Sequence, residues 1–340
     1  MQTINPSDLK RKIKNNIRAG LNTMIWGGPG IGKSEIPQEV ANELKMPLLD
    51  FRANLYDPVD VRGIPHIQAV QETGERFTRW APPDVFPIKE RDGEAGIMFI
   101  DELPTAPPAT QNAFLQLLLT RQIGDYILPA NWSIMAAGNE ITDSAAVYQM
   151  PSPVRNRFSH FKLEVNLEDW VAWAFKNKIN TDIIGFIQFR PGLLSKFMAD
   201  EYAFPTPRSW SFVSKALKHQ EDIVDHNDLF FSVASLVGDG PAGEFIAYKE
   251  IANKLPDIDK LIEDPTKYKV DENPAILYAL SSGVSARACP EKMENIMKLN
   301  KKLPVEFQVI LVKGCLALDQ ALKSNTHLRN WVTTNASVIL

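Results

Sequence analysis

In the first half of the chain, apolar residues come in short unbroken runs. LNTMIW at 21–26, MPLLDF at 46–51, GIMFI at 96–100, WSIMAA at 132–137 and FKLEV at 161–165 each have strand length. Strands this continuously apolar are covered on both faces. Stretches with helical spacing separate them, as in EIPQEVANEL after the first run. The alternation predicts an α/β domain on a five-stranded, mainly parallel sheet that ends near residue 165. A further helix is predicted over residues 6–19, where Leu9, Ile13 and Ile17 repeat every fourth position, Ser7 or Asp8 lies near the start and Gly20 marks the stop.

Beyond Asn166 the pattern turns helical almost throughout, in LEDWVAWAFKN, PRSWSFVSKALKHQ, DLFFSVASLV, PEKMENIMKL and PVEFQVILVKGCLALDQAL. A mixed domain is therefore followed by an all-helical region. The Pro-, Asp- and Lys-rich LPDIDKLIEDPTKYKVDENP at 255–274 is the best candidate for a surface connection within it.

Composition changes this picture little. A chain of 340 residues with 44% apolar and 23% charged positions is ordinary for a soluble globular protein of two domains. A net charge of -4 excludes a globally basic protein that coats nucleic acid. Five basic residues do crowd the first helix (Lys10, Arg11, Lys12, Lys14 and Arg18), and its apolar repeat favours a solvated face over a nucleic-acid arm. Cys289 and Cys315 are the only cysteines, with no CxxC or Cys/His cluster, which points to a reduced, cytoplasmic setting without disulfides or zinc. No run of 18 apolar residues occurs, so no membrane span is expected. His66, His160, His219, His226 and His327 are scattered without metal spacing and are assigned no chemistry.

The chemical signal lies in GGPGIGKS, residues 27–34. Gly27, Gly32, Lys33 and Ser34 match the spacing of a phosphate loop, an arrangement expected by chance in a chain of this length only about once in a hundred. An apolar strand feeds the motif and an amphipathic helix beginning at Glu35 leaves it. Backbone N–H groups of Gly27, Gly28, Gly30, Ile31 and Gly32, in the loop that Pro29 shapes, together with the helix N-terminus, suit phosphate oxygens. Lys33 would neutralise the β and γ phosphates of ATP, and the Ser34 hydroxyl would ligate Mg2+. In GIMFIDEL a buried strand ends in Asp101 and Glu102. Asp101 fits a magnesium-shell carboxylate, and Glu102 fits the base that polarises the attacking water. The next strand ends in Gly138 and Asn139, whose amide can hold that water against the γ-phosphate. NKIN at 177–180 lacks the Asp of a guanine-reading signature and lies in the helical region.

The order of phosphate loop, FIDEL, AAGNE, SPVRNRF and TPRSW resembles the AAA+ ATPases, and among them the MoxR-like branch, over roughly residues 20–220. The resemblance implies that Arg157, in RNRF, is an arginine finger reaching a neighbouring subunit's ATP, while Arg155 supports the turn or an interface salt bridge. It implies that Arg208, in FPTPRSW, is the sensor 2 arginine at the start of a lid helix. It divides the chain into an α/β nucleotide-binding domain at 1–165, a helical lid at 166–270 and a helical extension at 271–340. It also suggests an inserted hairpin at 58–86, with IPHIQAV and RFTRWA flanking the turn QETGE, either facing a central pore or packed passively on a neighbour. RQIGDYILPANW at 121–132 leaves little room for a long second hairpin.

The expectation that follows is a ring-forming, hexameric, Mg2+-dependent ATPase that remodels a protein partner; by family resemblance that partner is of the von Willebrand factor A type. Two alternatives stand beside it. A nucleic-acid-directed motor would use the basic and aromatic residues Arg76, Phe77, Arg79 and Trp80, and an assembly scaffold would bind ATP with little turnover.

Overall fold

The computed structural model describes residues 1–69, 76–139, 147–198, 200–219 and 225–335. The turn QETGE lies outside them. Two compact units make up the chain, Met1–Glu164 and Val165–Leu340.

The first unit runs β1 (Thr3–Ile4), α1 (Pro6–Ala19), β2 (Thr23–Trp26), α2 (Glu35–Leu44), β3 (Leu48–Arg52), α3 (Pro58–Arg62), β4 (Ile64–Ala69), β5 (Arg76–Ala81), α4 (Lys89–Asp92), β6 (Ala95–Asp101), α5 (Pro108–Thr120), β7 (Gln122–Ile123), β8 (Tyr126–Ile127), β9 (Asn131–Gly138), α6 (Ser152–Arg155) and β10 (Ser159–Leu163). The main sheet has the order β1-β10-β2-β9-β6-β3, and every neighbouring pair is parallel. It therefore holds six strands, where the apolar runs predict five. The additional strand, β1, pairs only Thr3 with Lys162 and Ile4 with Leu163. Two residues at a sheet edge are too few to form a pattern that sequence can reveal.

Side chains alternate between the two faces of each strand, so the continuous runs divide into two cores. Met24, Met98, Ile100, Ile134 and Ala136 pack with Phe114 and Leu117 of α5. Ile25, Ile97, Phe99, Met135 and Ala137 pack with Leu9 and Ile13 of α1 and with Ile36 and Val40 of α2. The start of α1 is capped by Asn5, whose Oδ1 accepts the Asp8 N–H at 2.7 Å, and Ser7 and Asp8 lie in its first turn. Its basic residues form a solvated face: Lys10 pairs with Glu39, Lys14 with Glu43 and Arg11 with Asp8.

Two antiparallel hairpins stand apart from the sheet. In β4–β5, Ile64 pairs with Ala81 and Ala69 with Arg76, and Ile64, Ile67 and Phe77 are exposed. The β7–β8 hairpin is short, and its turn residue Asp125 accepts the Trp80 N–H at 2.9 Å.

The second unit, as far as it is described, is helical: α7 (Leu167–Lys176), α8 (Thr181–Phe189), α9 (Pro207–Leu217), α10 (His226–Val237), α11 (Asp239–Ala252), α12 (Ile258–Glu263), α13 (Pro274–Ser285), α14 (Met293–Asn300), α15 (Val305–Leu318) and α16 (Thr326–Thr334). One core gathers α7–α11 and the other α12–α16, and α13 contributes to both, with Ala275 and Ala279 in the first and Leu277, Leu280 and Val284 in the second. Residues 255–274 are not the surface connection their composition suggests. They form α12 and a 3-10 turn, and Leu261, Ile262 and Tyr268 are buried. The apolar residues within the charged stretch recur at helical spacing, and burial of one face outweighs the polarity of the other.

Candidate functional site

The strands β2, β9 and β6 are adjacent in the sheet, and their C-terminal ends carry the phosphate loop, Asn139 and Asp101. In an open parallel sheet this edge is where ligands bind. The loop leaves β2 at Gly27, whose N–H donates to Gly138 O at 3.3 Å. A Cβ at Gly27 would meet Ile31 Cδ1 at 2.6 Å and Leu163 O at 3.0 Å, and Gly32 has φ +103°, so both positions favour glycine. Gly28, Pro29, Gly30 and Ile31 complete the loop, and α2 follows from Glu35, which is exposed.

Lys33 is only 7% exposed. Its Nζ donates to Gly27 O at 2.9 Å, Gly28 O at 2.7 Å and Asn139 Oδ1 at 2.7 Å. A buried ammonium needs such partners, and anionic phosphate oxygens would compete with these neutral oxygens for it. Ser34 Oγ donates to Asp101 Oδ2 at 2.9 Å. These two oxygens fit a magnesium shell, because Mg2+ takes one or two protein oxygens and completes its octahedron with water and phosphate. Among the described residues no group of three or more His, Cys, Asp and Glu side chains could hold a metal.

Glu102 adopts a left-handed backbone, φ 54° and ψ 31°, a sparsely populated conformation for a side chain of this size. Its N–H donates to Asp101 Oδ1 at 2.9 Å, and its carbonyl accepts from Thr105 Oγ1 at 2.8 Å and Thr105 N at 3.0 Å. The turn thus departs from β6 sharply and places Glu102 beside Asp101 at the strand end.

Asp50 of β3 also belongs to this neighbourhood and has no motif to announce it. Burial, reinforced by the Asp101 carboxylate, raises its pKa from the ordinary value, while Arg52 pulls it down. The pairing of β3 with β6, Arg52 opposite Asp101, is what brings the two carboxylates near each other.

Arg157 lies on the turn between α6 and β10. Its Nε is buried without a hydrogen-bond partner among the described residues, while Arg155 is exposed. Trp26 and His160, neither of which carries a motif, adjoin this turn. Arg208 is exposed at the second position of α9, in the helical unit. Its helix starts with a reciprocal cap, in which Thr206 Oγ1 accepts the Ser209 N–H at 3.0 Å and Ser209 Oγ accepts the Thr206 N–H at 2.7 Å. The structure therefore brings together Lys33, Ser34, Asp101 and Asn139, sets Glu102 next to them, and holds Arg157 on a separate turn of the same unit.

Neither protein-family models nor curated proteins match the chain. Solved structures similar to it include a candidate ATPase from Cytophaga hutchinsonii, 14% identical, covering 98% of this chain and 90% of that one with a TM-score of 0.33. A RuvB point mutant from Thermotoga maritima is 15% identical, covering 82% and 81%, with a TM-score of 0.35. NtrX from Brucella abortus, solved with ADP, is 11% identical, covering 96% and 67%, with a TM-score of 0.35. Likenesses this distant leave the chemistry to be read from the site itself.

Proposed function

We propose that the protein is a Mg2+-dependent ATPase of the AAA+ type, close to the MoxR-like branch, acting as a ring of subunits on a protein partner. The observation that carries this reading is the convergence of Lys33, Ser34, Asp101 and Asn139 at three adjacent strand ends, linked by hydrogen bonds of 2.7 Å and 2.9 Å.

In this reading the loop amides and Lys33 bind the ATP phosphates, and Ser34 and Asp101 would hold Mg2+, which would supply positive charge against the phosphates. Asn139 orients the attacking water and Glu102 accepts its proton as oxygen attacks the γ-phosphorus and the bond to the β-phosphate breaks, releasing ADP and phosphate. Arg157 of a neighbouring subunit stabilises the charge spreading over the transferred group, a contribution of roughly 10³ to 10⁵ in rate. Residues 166–270 act as a lid that brings Arg208 to the nucleotide, and residues 271–340 serve a partner. A von Willebrand factor A-type adaptor and a hexameric ring remain part of the proposal through family resemblance.

Subunit mixing tests site and assembly together. Lys33→Ala is expected to lose ATP binding and keep its finger, and Arg157→Ala to bind ATP and lack it. Each alone should be nearly inactive, and the mixture should regain part of the activity. No recovery in confirmed mixed oligomers would count against a finger acting in trans. Phosphate release by Glu102→Gln should fall by at least about 10² from loss of the base, with ATP binding retained. Equal and negligible release by wild type and variant would favour the scaffold.

A further inference from the structure

The strand that carries the phosphate loop also holds the turn that carries Arg157, and it does so at both of its ends. At its start, Asn22 Nδ2 donates to Arg157 O at 3.1 Å, and Asn22 O accepts the Ser159 N–H at 2.8 Å. At its end, one residue before Gly27, Trp26 Nε1 donates to His160 Nδ1 at 2.9 Å, and His160 Nε2 lies 2.7 Å from Arg155 O. An indole N–H can only donate and a carbonyl can only accept. The imidazole between them must therefore carry its proton on Nε2 and its lone pair on Nδ1. The two rings stack, with centroids 6.0 Å apart and planes 20° from parallel.

We infer that His160 is a positioning residue for Arg157, linking the finger-bearing turn to the strand end from which its own subunit's phosphate loop departs. The inference rests on the reading of Arg157 as a group that acts on a neighbour's nucleotide. With the carbonyls of residues 155 and 157 both tied to β2, the backbone that aims the guanidinium cannot drift independently of that strand. On the side chain, Nε is buried without a hydrogen-bond partner among the described residues. The side chain borders an open groove of about 900 Å³ lined by Trp26, Asn156, Phe158 and His160 among others. A displacement at Trp26–Gly27 is passed through His160 to Arg155 O, so the loop of one subunit and the finger it offers to the next move as one element.

Placing His160→Phe in one partner at a time within the mixed oligomers tests this. Phenylalanine keeps an aromatic ring and removes both nitrogens. In the finger-donating Lys33→Ala subunit it should reduce the recovered ATPase rate at least about tenfold, because a misplacement of about 1 Å can cost on the order of 10² in rate. In the ATP-binding Arg157→Ala subunit, which has no finger left to misplace, it should leave the rate within about twofold. Trp26→Phe, which removes the indole donor together with one ring, should show the same asymmetry and decides the matter if His160→Phe fails to fold. Equal losses in both positions, or no loss in the finger-donating subunit, would overturn the inference. A parental mixture without any recovery would overturn the reading of Arg157 and this inference with it, and that result is visible before His160 is changed.

Discussion

Glu102 combines a strained backbone with the position expected of a catalytic carboxylate. A non-glycine residue in the left-handed region costs about 1–2 kcal/mol, and here a hydrogen bond from its N–H to Asp101 and one from Thr105 to its carbonyl hold it there. Glycine adopts that conformation without penalty, so Glu102→Gly should be more stable than Glu102→Ala by about 1 kcal/mol in urea unfolding. Both should lose hydrolysis, and equal stability of the two would remove the strain argument. At this scale Lys33, Ser34 and Asp101 were legible because their motifs keep fixed spacing around a strand end. Asp50 was not, since a single aspartate in LLDFR has no local signature. Its relation to Asp101 exists only through the pairing of β3 with β6.

The β4–β5 hairpin shows how an element can be recognised while its support stays hidden. Alternating segments around a glycine-containing turn predict the pairing, but the contact that anchors it comes from the other hairpin, through the Asp125 carboxylate on the Trp80 N–H. That hydrogen bond, aided by Arg79, lowers the Asp125 pKa from its ordinary value. A depressed carboxylate contributes its stabilisation at neutral pH and loses it as pH falls through the depressed value. Protection of the Trp80 amide in hydrogen exchange should therefore be present at pH 7 and diminish under acidic conditions, and Asp125→Ala should lack it at both. Protection in Asp125→Ala equal to that of wild type would show that the anchor is unimportant. The stretch at 255–274 failed as a sequence prediction for the converse reason: its composition resembles a connection, yet α12 has Leu261 and Ile262 to bury.

At the scale of the whole molecule, each unit has its own apolar cores, and among the described residues no helix is long and apolar enough to cross a membrane. Cys315 reports on the helical unit. It is fully buried, and burial pushes its thiol up to about 12. In the native protein at pH 8 a thiol reagent should modify Cys289, which is partly exposed, and leave Cys315 untouched until α15 unfolds. Rapid labelling of two thiols in native protein would contradict that packing. The sequence by itself determined the kinds of element, the change from α/β to helical near residue 165, and the phosphate-loop motif, because each depends on residues within a few positions of one another. Tertiary structure alone decided that β2, β9 and β6 lie side by side, bringing Ser34 to Asp101 across 67 positions and Lys33 to Asn139 across 106. It also joined Trp26 to His160 across 134 positions and added β1 at the sheet edge. Strand order is set by long-range pairing and by burial of both sheet faces, and no local pattern of hydrophobic and polar residues carries that information.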